Sequence, residues 1–369
     1  MYNNPYRFFC CLFITLGMVG CFSSTSNNQT SSSDATPYTP LTWKLITTWP
    51  PGFPVVHDQL LKFAKNIDLM SHGRLKIEVY GGGVIVPHLQ TFEAVSNGTA
   101  EMGHSVSLYW VDKIPTAQFM SAIPFGMTVT GVSAWLHHGG GLSLWREIYA
   151  PHHIVPFPAG NTGVQMGGWF KKQIKTMNDF KGLKIRMPGL TGKILQRAGA
   201  IPIVLTAGEI NTALHRGLIE AAEWIGPAHD EALGLYREAE YYYYPGWHEP
   251  GTILELLINK SAWEKLPPDL QKIVEIAAAA LDQSVHIEFE AKNIEALSRL
   301  INEQHVKLVE FPKNVLLELK KISTQLLEDE AKKDPLFDKV YQSYRQFQAK
   351  NAQWYQISDH SYYHSSNFH

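Results

Sequence analysis

Two short apolar segments of the sequence each carry one charged side chain. Arg186 lies in KIRMPG at positions 184–189, and Glu223 lies in AAEWIGP at positions 221–227. Both segments are typical of a buried strand that ends in a Pro/Gly turn, so each delivers its charge at a strand end. Arginine can form two parallel hydrogen bonds with a carboxylate, and a glutamate with main-chain carbonyls can hold a cation. The pair therefore predicts a site that binds a small carboxylate, alone or together with a metal ion.

Three uncharged side chains near other predicted strand ends are further candidates. Gln165 begins an alternating stretch that predicts a strand, and Tyr109 and Trp110 end another. Each has an ordinary structural alternative, which is a hydrogen bond to a neighbouring strand for Gln165 and core packing for the aromatic pair. The alternatives for Arg186 and Glu223 are an exposed strand end and a structural salt bridge. An unpaired buried carboxylate is costly, so Glu223 needs a partner of some kind.

Catalytic motifs are incomplete. His248-Glu249 begins like the HExxH zinc motif, but Thr252 holds the position of the second histidine. The segment GLTGK at 189–193 is too short for a phosphate-binding loop, and no GxSxG nucleophile motif occurs. An extracytoplasmic enzyme that processes carboxylates through Glu223 and Glu249 is the competing function, but the sequence supplies neither a nucleophile nor a base with an orienting partner. A structural or adhesive lipoprotein is a third alternative.

The N-terminal residues predict export and lipid anchoring. Arg7 precedes an apolar run at 8–19, which is shorter than the ~20 residues that span a bilayer and is typical of a signal peptide. The run ends in MVGC, which resembles a bacterial lipobox whose cysteine, here Cys21, becomes the lipidated first residue. A chance cysteine after an ordinary signal peptide is the alternative. We expect a lipoprotein signal peptide at 1–20 and a disordered Ser/Thr-rich tether at 21–40, which places the protein in the periplasm or at the cell surface, lipid-anchored.

The composition excludes several classes of protein. The formal net charge of −2 provides no basic surface for nucleic acid. Cys10, Cys11 and Cys21 are the only cysteines, so the predicted mature body has no disulfide or thiolate site and must rely on its core. After the leader, no apolar run is long enough for a membrane helix. The remaining length of roughly 330 residues suggests two domains.

Predicted strands and helices alternate through the first two-thirds of the chain. Strands are expected at 41–48, 75–80, 102–110, 165–170, 184–187 and 221–225, and helices at 55–70, 91–96, 192–198 and 209–216. This alternation predicts an α/β fold with parallel sheets, and its recurrence suggests two similarly built lobes. The last third is helical, with a strand at 306–311 and helices at 270–299, 313–328 and 335–354. The long helix at 270–299 is expected to clamp the two lobes together.

Four motifs together resemble the solute-binding component of tripartite ATP-independent periplasmic (TRAP) transporters. They are GLKIRMPG at 182–189, AAEW at 221–224, YW at 109–110 and YYPGWHEPG at 243–251. The resemblance covers the chain from Trp43 to about Tyr355. The arginine motif is shared by the broad family. The Glu-Trp and Pro-Gly-Trp motifs are similar to the branch that binds 2-oxo and 2-hydroxy monocarboxylates with a cation.

The resemblance implies a two-lobed fold like that of periplasmic binding proteins, with a long clamp helix and a helical C-terminus. Lobe I would comprise residues 41–160 and about 250–270, and lobe II would comprise 161–249 and about 300–325. The clamp helix at 270–299 would link the lobes. The C-terminal helix and tail at 326–369 would form a dimer contact, as in this branch of the family.

The resemblance also implies which residues bind the ligand. Arg186 would form a two-point fork onto the carboxylate of the ligand. Tyr109 and Trp110 would contact the ligand from the other lobe. Gln165 and Glu249 would lie close to the ligand or to its cation.

A cation site is implied beside the ligand. Glu223 would ligate the cation through its side chain, Trp224 through its main-chain carbonyl and Gln165 through its side-chain oxygen. Na⁺ and Ca²⁺ are both candidates, because one arginine, one glutamate, Na⁺ and the ligand sum to zero charge, whereas an ionised Glu249 would require Ca²⁺. His248 departs from the pattern, since a second aromatic residue is expected there.

The resulting expectation is an extracytoplasmic subunit that binds and delivers rather than catalyses. It would capture a small organic acid, such as the 2-oxo monocarboxylate pyruvate, by closing its lobes, and would pass the acid to separate TRAP membrane subunits. The sequence leaves lactate and dicarboxylates open as ligands. The lipid anchor would be its membrane contact, and a homodimer is expected.

Overall fold

The computed structural model describes residues 39–366. The predicted signal peptide, the predicted lipidation site Cys21 and the predicted tether up to position 38 lie outside the described residues. The strands of the described part are β1 (Leu41–Thr47), β2 (Leu75–Tyr80), β3 (Met102–Ser105), β4 (Ile154–Asn161), β5 (Gly168–Phe170), β6 (Lys184–Arg186), β7 (Ile201–Ile203), β8 (Ala221–Ala222), β9 (Tyr241–Tyr244), β10 (Ile253–Asn259) and β11 (Lys307–Glu310).

Helices surround these strands. They are α1 (Val56–Met70), α2 (Thr91–Ser96), α3 (Val129–His138), α4 (Gly141–Tyr149), α5 (Gly189–Arg197), α6 (Ala207–His215), α7 (Pro227–Ala232), α8 (Lys260–Lys265), α9 (Pro268–Asn302), α10 (Lys313–Ala331), α11 (Pro335–Ile357) and α12 (Asp359–Ser366). Within residues 39–366, none of the helices has the length and apolar character needed to cross a bilayer.

The strands form two sheets. The first sheet has the order β2-β1-β3-β10-β4, and the second has the order β11-β9-β5-β8-β6-β7. Both sheets are mixed, which corrects the prediction of parallel sheets: β10 runs antiparallel to β3 and β4, and β5 runs antiparallel to β8 and β9. Each antiparallel strand directly follows a crossing of the chain between the sheets. Parallel neighbours need a long crossover connection, and the crossing segments at 162–167 and 245–252 contain no helix.

Three predicted strands are shorter than the sequence suggested. The strand expected at 102–110 ends at Ser105, after which Ser107–Trp110 form a 3-10 turn. The strand expected at 165–170 begins only at Gly168, whose φ of +107° favours glycine. The strand expected at 221–225 ends at Ala222. The polar side chains of interest therefore lie just beyond strand ends, where they face the space between the sheets.

Helix α9 packs against helices α1 and α7, which follow strands of different sheets. It begins with two prolines, which suit a helix N-terminus, and its 35 residues extend about 50 Å at 1.5 Å per residue. Glu288 accepts a hydrogen bond from Gln59 of α1, the helix between β1 and β2. Arg299 forms a two-point ion pair with Glu231 of α7, which follows β8, at 3.0 and 2.7 Å. Helix α9 is thus hydrogen bonded to helices that lie beside each of the two sheets.

Candidate functional site

A small cavity lies where the strand ends and the crossing segments meet. Its polar lining consists of Thr162, Gln165, Arg186, Glu223, Glu249 and Thr252. Its remaining lining is mainly apolar and aromatic, including Trp49, Val106, Leu108, Tyr109, Trp224 and Leu254. Such a lining suits a small ligand with one strongly polar end.

Arg186 is buried at the end of β6 and has several acceptors. Its Nη1 donates to the main-chain oxygen of Glu223 at 2.6 Å and to Glu223 Oε2 at 2.8 Å. Its Nε donates to the main-chain oxygen of Leu205 at 3.3 Å, and Nη2 lies 3.5 Å from the hydroxyl of Tyr109. The guanidinium carbon lies 4.7 Å from the ring centre of Trp224. These contacts fix the guanidinium plane, and Nη2, with only one long contact, is the part best able to accept a further partner.

Glu223 follows β8 and is only 1% exposed. Burial raises the pKa of its carboxyl group to about 7, although the charge of Arg186 acts in the opposite direction. Its Oε2 is bonded to Arg186, whereas its Oε1 has no hydrogen-bond partner among the described residues. A buried acceptor without a partner is an atom that a bound cation can satisfy.

Gln165 and Glu249 come from the two crossing segments and are bonded to each other. Gln165 Nε2 donates to Glu249 Oε2 at 2.9 Å and lies within hydrogen-bond distance of the hydroxyls of Thr162 and Thr252. Thr252 also donates to Glu249 Oε2, at 2.7 Å. Burial raises the pKa of Glu249 to about 7, and the nearby charge of Glu223 adds to this effect. Because Nε2 faces this network, Gln165 Oε1 is left without a partner within residues 39–366.

His248 is completely buried beside Glu223. Burial lowers the pKa of its imidazole to about 4, so the ring is neutral at physiological pH. Its Nε2 lies 3.3 Å from Glu223 Oε1, yet neither ring nitrogen has a hydrogen bond with a described residue. Glu223, His248 and Glu249 each offer a ligand atom within 4.8 Å of the others, and this is the one such group of three found in the described part of the chain. The place where a second aromatic was expected is therefore part of a polar cluster.

Asp230 stabilises the turn that carries Trp224, and sequence reasoning did not identify it. Its Oδ1 accepts from the main-chain N–H of Ile225 at 3.3 Å. Its Oδ2 accepts from Trp169 Nε1 at 2.9 Å and from the hydroxyl of Tyr242 at 2.7 Å. The aromatic rings that donate to it come from β5 and β9, so no local sequence signal could have revealed the network.

The structure separates the two aromatic residues predicted for the ligand pocket. Tyr109 lines the cavity, with its hydroxyl near Arg186. Trp110 is not among the residues lining the cavity, which corrects the expectation that it contacts the ligand. Its indole N–H donates to Glu255 at 2.6 Å, and its ring packs on Phe92 in the core. Consecutive residues of a 3-10 turn point about 120° apart, so both rings cannot face the same cavity.

Two α/β lobes with a buried polar cavity at their junction define a solute-binding protein of the periplasmic type. Residues 46–334 match the family described as bacterial extracellular solute-binding protein, family 7 (DctP). The chain belongs to this family and is a TRAP solute-binding protein. The family and the two-lobed α/β fold expected from the sequence are thereby confirmed.

Several relatives cover almost the whole chain. A protein of Nostoc sp. described as a monocarboxylate 2-oxoacid-binding periplasmic protein is 40% identical over 348 residues, which is 94% of each chain. A TRAP solute-binding protein from Colwellia psychrerythraea, solved with calcium and pyruvate, is 38% identical, has a TM-score of 0.87, and is matched over 89% of this chain and 100% of its own. A TRAP solute-binding protein from Pseudoalteromonas atlantica, solved with sodium and pyruvate, is also 38% identical, with a TM-score of 0.86 and coverage of 89% and 99%.

Proposed function

We propose that this protein captures a small 2-oxo monocarboxylate, such as pyruvate, together with a cation, and delivers it to TRAP membrane subunits. One observation carries the proposal: Arg186 and Glu223 form a buried ion pair at 2.8 Å beside two acceptors without partners, Glu223 Oε1 and Gln165 Oε1. An anion and a cation bound together can satisfy all of these groups. The ligands of the Nostoc, Colwellia and Pseudoalteromonas relatives support this ligand class.

The acid would bind to Arg186. Its carboxylate would replace that of Glu223 on Nη1 and would accept a second bond from Nη2, which gives the two-point geometry that arginine provides best. The hydroxyl of Tyr109, 3.5 Å from Nη2, would contact the same carboxylate. Closure would be favoured because only the closed state lets groups of both sheets touch the ligand.

The cation would bind to the carboxylate released from Arg186. Glu223, Gln165 Oε1 and the main-chain oxygen of Trp224 supply oxygen donors, which suit Na⁺ and Ca²⁺. With Glu249 ionised, Arg186, Glu223, Glu249 and the ligand sum to −2, which Ca²⁺ balances. With Glu249 protonated they sum to −1, which Na⁺ balances. A dry cavity disfavours net charge, so the protonation of Glu249 selects the ion.

The cavity contains no group arranged for catalysis. The hydroxyl of Thr252 is engaged with Glu249, and within residues 39–366 no hydroxyl is hydrogen bonded to His248. An activated nucleophile needs such a bond to a base. We therefore place binding ahead of a carboxylate-processing enzyme that uses Glu223 and Glu249, and NMR of a bound acid over time would detect any turnover.

A thermal-shift screen tests the proposed function. The protein is treated with EDTA, dialysed into sodium-free buffer, and mixed with pyruvate, longer 2-oxo acids, lactate or succinate, each alone, with Na⁺ and with Ca²⁺. A specific ligand raises the unfolding midpoint by mass action. A rise with 2-oxo acids that requires a cation supports the proposal. A larger rise with lactate or succinate would change the ligand, and no rise with any acid would reject the function.

We also propose the boundaries of the two lobes. We place lobe I at 41–160 and about 250–270, lobe II at 161–249 and about 300–325, and the clamp helix at 270–299. The composition of the sheets supports this division, since the first sheet contains β1–β4 and β10 and the second contains β5–β9 and β11. Limited proteolysis with and without ligand would test it through protection of the crossing segments.

We propose a homodimer formed by the C-terminal helices, and an anchor formed by lipidation of Cys21. Support for the dimer comes from large apolar side chains exposed there: Trp354 at 65%, Ile357 at 71% and Tyr363 at 68%. Sedimentation of a W354A/I357S variant would detect loss of the dimer. Mass spectrometry of the membrane-bound protein would show whether Cys21 is the acylated N-terminus.

A further inference from the structure

Glu223 and His248 place two buried polar atoms beside each other. His248 Nε2 and Glu223 Oε1 are 3.3 Å apart, and their side chains are 0% and 1% exposed. Neither atom is hydrogen bonded to any of residues 39–366. Buried polar groups nearly always have a partner, and a third atom that bonds to both would satisfy this pair.

The separation of the two atoms matches that of neighbouring donors on one metal ion. With metal–ligand bonds of about 2.1 Å, adjacent donors lie about 3.0 Å apart in an octahedral site and about 3.4 Å apart in a tetrahedral site. A carboxylate oxygen of Glu249, a carboxylate oxygen of Glu223 and a ring nitrogen of His248 lie within 4.8 Å of one another. Gln165 Oε1 is an additional acceptor without a partner. One nitrogen donor and two oxygen donors are therefore grouped together, and Glu223, Glu249 and Gln165 of this neighbourhood also line the cavity.

We propose that His248 Nε2 is itself a ligand of the cation, and that the site therefore binds a borderline divalent ion such as Co²⁺ or Zn²⁺ more tightly than Ca²⁺. The inference rests on the cation site of the proposed function and extends it to the choice of ion. Imidazole nitrogen suits zinc, nickel, copper and iron, whereas Ca²⁺ and Na⁺ prefer sites made of oxygen.

The surroundings of His248 favour this role. The ring is completely buried, and neither of its nitrogens is hydrogen bonded to a described residue, so one of them is available to a cation. Glu249 and Glu223 bring two negative charges to the same place. With the ligand and Arg186 included, the sum of −2 is balanced by any divalent ion, so charge alone does not select Ca²⁺. The donor type then decides between divalent ions.

The competing role for His248 is a weak hydrogen bond that only orients Glu223. An orienting residue affects every cation that Glu223 binds, so its replacement lowers the affinity for Co²⁺ and Ca²⁺ by similar factors. A direct nitrogen ligand affects Co²⁺ far more than Ca²⁺. The ratio of the two affinities separates the two roles and is insensitive to a general loss of stability.

The experiment compares Co²⁺ and Ca²⁺ binding to EDTA-treated protein in the presence of pyruvate, with His248 intact and with His248→Gln. Equilibrium dialysis with elemental analysis gives both dissociation constants, and visible absorption reports the coordination of Co²⁺. All proteins carry H360N/H364N, because those exposed rings stack 6.2 Å apart on α12 and offer an adventitious metal site. We expect Co²⁺ to bind at least about tenfold more tightly than Ca²⁺, and His248→Gln to reduce that ratio about tenfold or more.

A second measurement needs no substitution at His248. Pulsed EPR of the Cu²⁺-loaded H360N/H364N protein is expected to show the hyperfine coupling of one imidazole nitrogen. Absence of that coupling, or an unchanged Co²⁺ to Ca²⁺ ratio in His248→Gln, would overturn the inference. Pyruvate binding that depends on Ca²⁺ but never on Co²⁺ would reject the inference and leave the proposed function standing. Failure of pyruvate to bind with any cation would reject both.

Discussion

Arg186 Nη1 is hydrogen bonded twice to one residue, at 2.6 Å to the main-chain oxygen of Glu223 and at 2.8 Å to its carboxylate. The first bond fixes the arginine relative to the end of β8. The second occupies the position that a ligand carboxylate needs. In the proposed binding mode the acid would displace the carboxylate of Glu223, which would then be a buried charge without a positive partner unless a cation arrives.

The acid and the cation should therefore increase each other's affinity by the same factor. We expect a factor of about ten or more, since coupling energies of this kind are typically 1–3 kcal/mol. Calorimetric titration of pyruvate with and without Ca²⁺, and of Ca²⁺ with and without pyruvate, measures both sides of the cycle. Glu223→Gln should remove most of the coupling, because a neutral amide needs no cation. Equal pyruvate affinity with and without cations in the unmodified protein would contradict the proposed displacement of Glu223 from Arg186 by the acid.

Replacement of Arg186 should abolish tight binding of the acid. Arg186→Ala removes two charge-assisted hydrogen bonds worth about 1.5–3 kcal/mol each, so we expect pyruvate affinity to fall about a hundredfold or more. The pyruvate affinity of Arg186→Lys should lie between those of the unmodified protein and Arg186→Ala, because lysine keeps the charge but cannot form two parallel hydrogen bonds. Arg216→Ala removes an exposed arginine and serves as the matched control. Near-normal pyruvate affinity of Arg186→Ala in calorimetry would exclude the arginine as the carboxylate ligand.

Replacement of Glu249 should change which ion supports binding. In Glu249→Gln one negative charge is lost, so the charge sum with the ligand becomes −1 and a monovalent ion balances it. We expect the ratio of Ca²⁺ to Na⁺ affinity to fall by about tenfold, which corresponds to 1.4 kcal/mol. Titrations of pyruvate at fixed Na⁺ or Ca²⁺ measure the ratio.

Glu255→Gln is the matched control for Glu249→Gln. Glu255 is equally buried and its pKa is also raised to about 7 by burial, but it is bonded to Trp110 and Tyr149 in the core. Its replacement should alter stability without altering the preference for an ion. An unchanged preference in Glu249→Gln would show that this carboxylate does not select the cation.

The ligand-free protein should lose stability as the pH rises toward 7. The pKa of Glu249 is about 7 in the folded state against an ordinary value of 4.5, so between these values the folded state holds a proton that the unfolded state has released. Its contribution is fully present below about pH 4.5 and is lost as the pH rises through about 7. The full effect is on the order of 3 kcal/mol for one buried carboxyl group.

Urea unfolding of the ligand-free protein at several pH values between 4.5 and 8 tests this dependence. The difference in unfolding free energy between the unmodified protein and Glu249→Gln reports this group together with its coupling to Glu223 and His248, because titration of the distant residues is shared. We expect the unmodified protein to lose stability relative to the variant as the pH rises. A difference that is constant with pH would mean that Glu249 titrates near its ordinary value.

A hydrogen bond outside the cavity should favour the closed state. Gln118, in a turn that packs near the end of β3, accepts from the main-chain N–H of Leu190 in α5 at 2.9 Å. Gln118 lies in the segment after β3 of the first sheet, and Leu190 lies in α5 after β6 of the second sheet. Gln118→Ala should weaken pyruvate binding about threefold to tenfold, because a hydrogen bond contributes about 1 kcal/mol to whichever state contains it.

Gln342→Ala is the control for Gln118→Ala, since Gln342 is exposed and bonds only within α11. Small-angle scattering should show a larger radius of gyration for ligand-free Gln118→Ala than for the control. Unchanged affinity and unchanged scattering would mean that this bond does not hold the lobes together.

Local patterns located the long helices, whereas shorter helices such as α3 and α4 and several strands were not predicted. The helix expected at 270–299 is α9, Pro268–Asn302, because helical periodicity is written in neighbouring residues. Strand β4 was missed because its sequence, IVPFPAGN, contains two prolines, which argue against a strand. It lies at the edge of the first sheet, where a missing N–H is tolerated. Strand β10 was missed too, and its buried Glu255 is satisfied only by distant aromatic side chains.

The candidate site was predictable only where a local sequence pattern marked its residues. Arg186, Glu223 and Gln165 line one cavity, and the salt bridge considered as the alternative role of Glu223 forms with Arg186 itself. Trp110 was assigned to the pocket through the family resemblance, whereas the 3-10 turn directs its ring into the core. The roles of these residues in binding remain predictions that the variants above test.

The four side chains proposed to hold the acid and its cation are almost inaccessible to water, with exposures of 2% for Arg186, 1% for Glu223, 3% for Gln165 and 4% for Glu249. An acid held among these side chains would therefore be released only when the sheets move apart. Its escape rate cannot exceed the rate at which the protein opens, however strong or weak the individual contacts are. The residence time of the bound acid is then set by the opening motion. A membrane subunit that accelerates opening would release the acid without weakening any of its contacts.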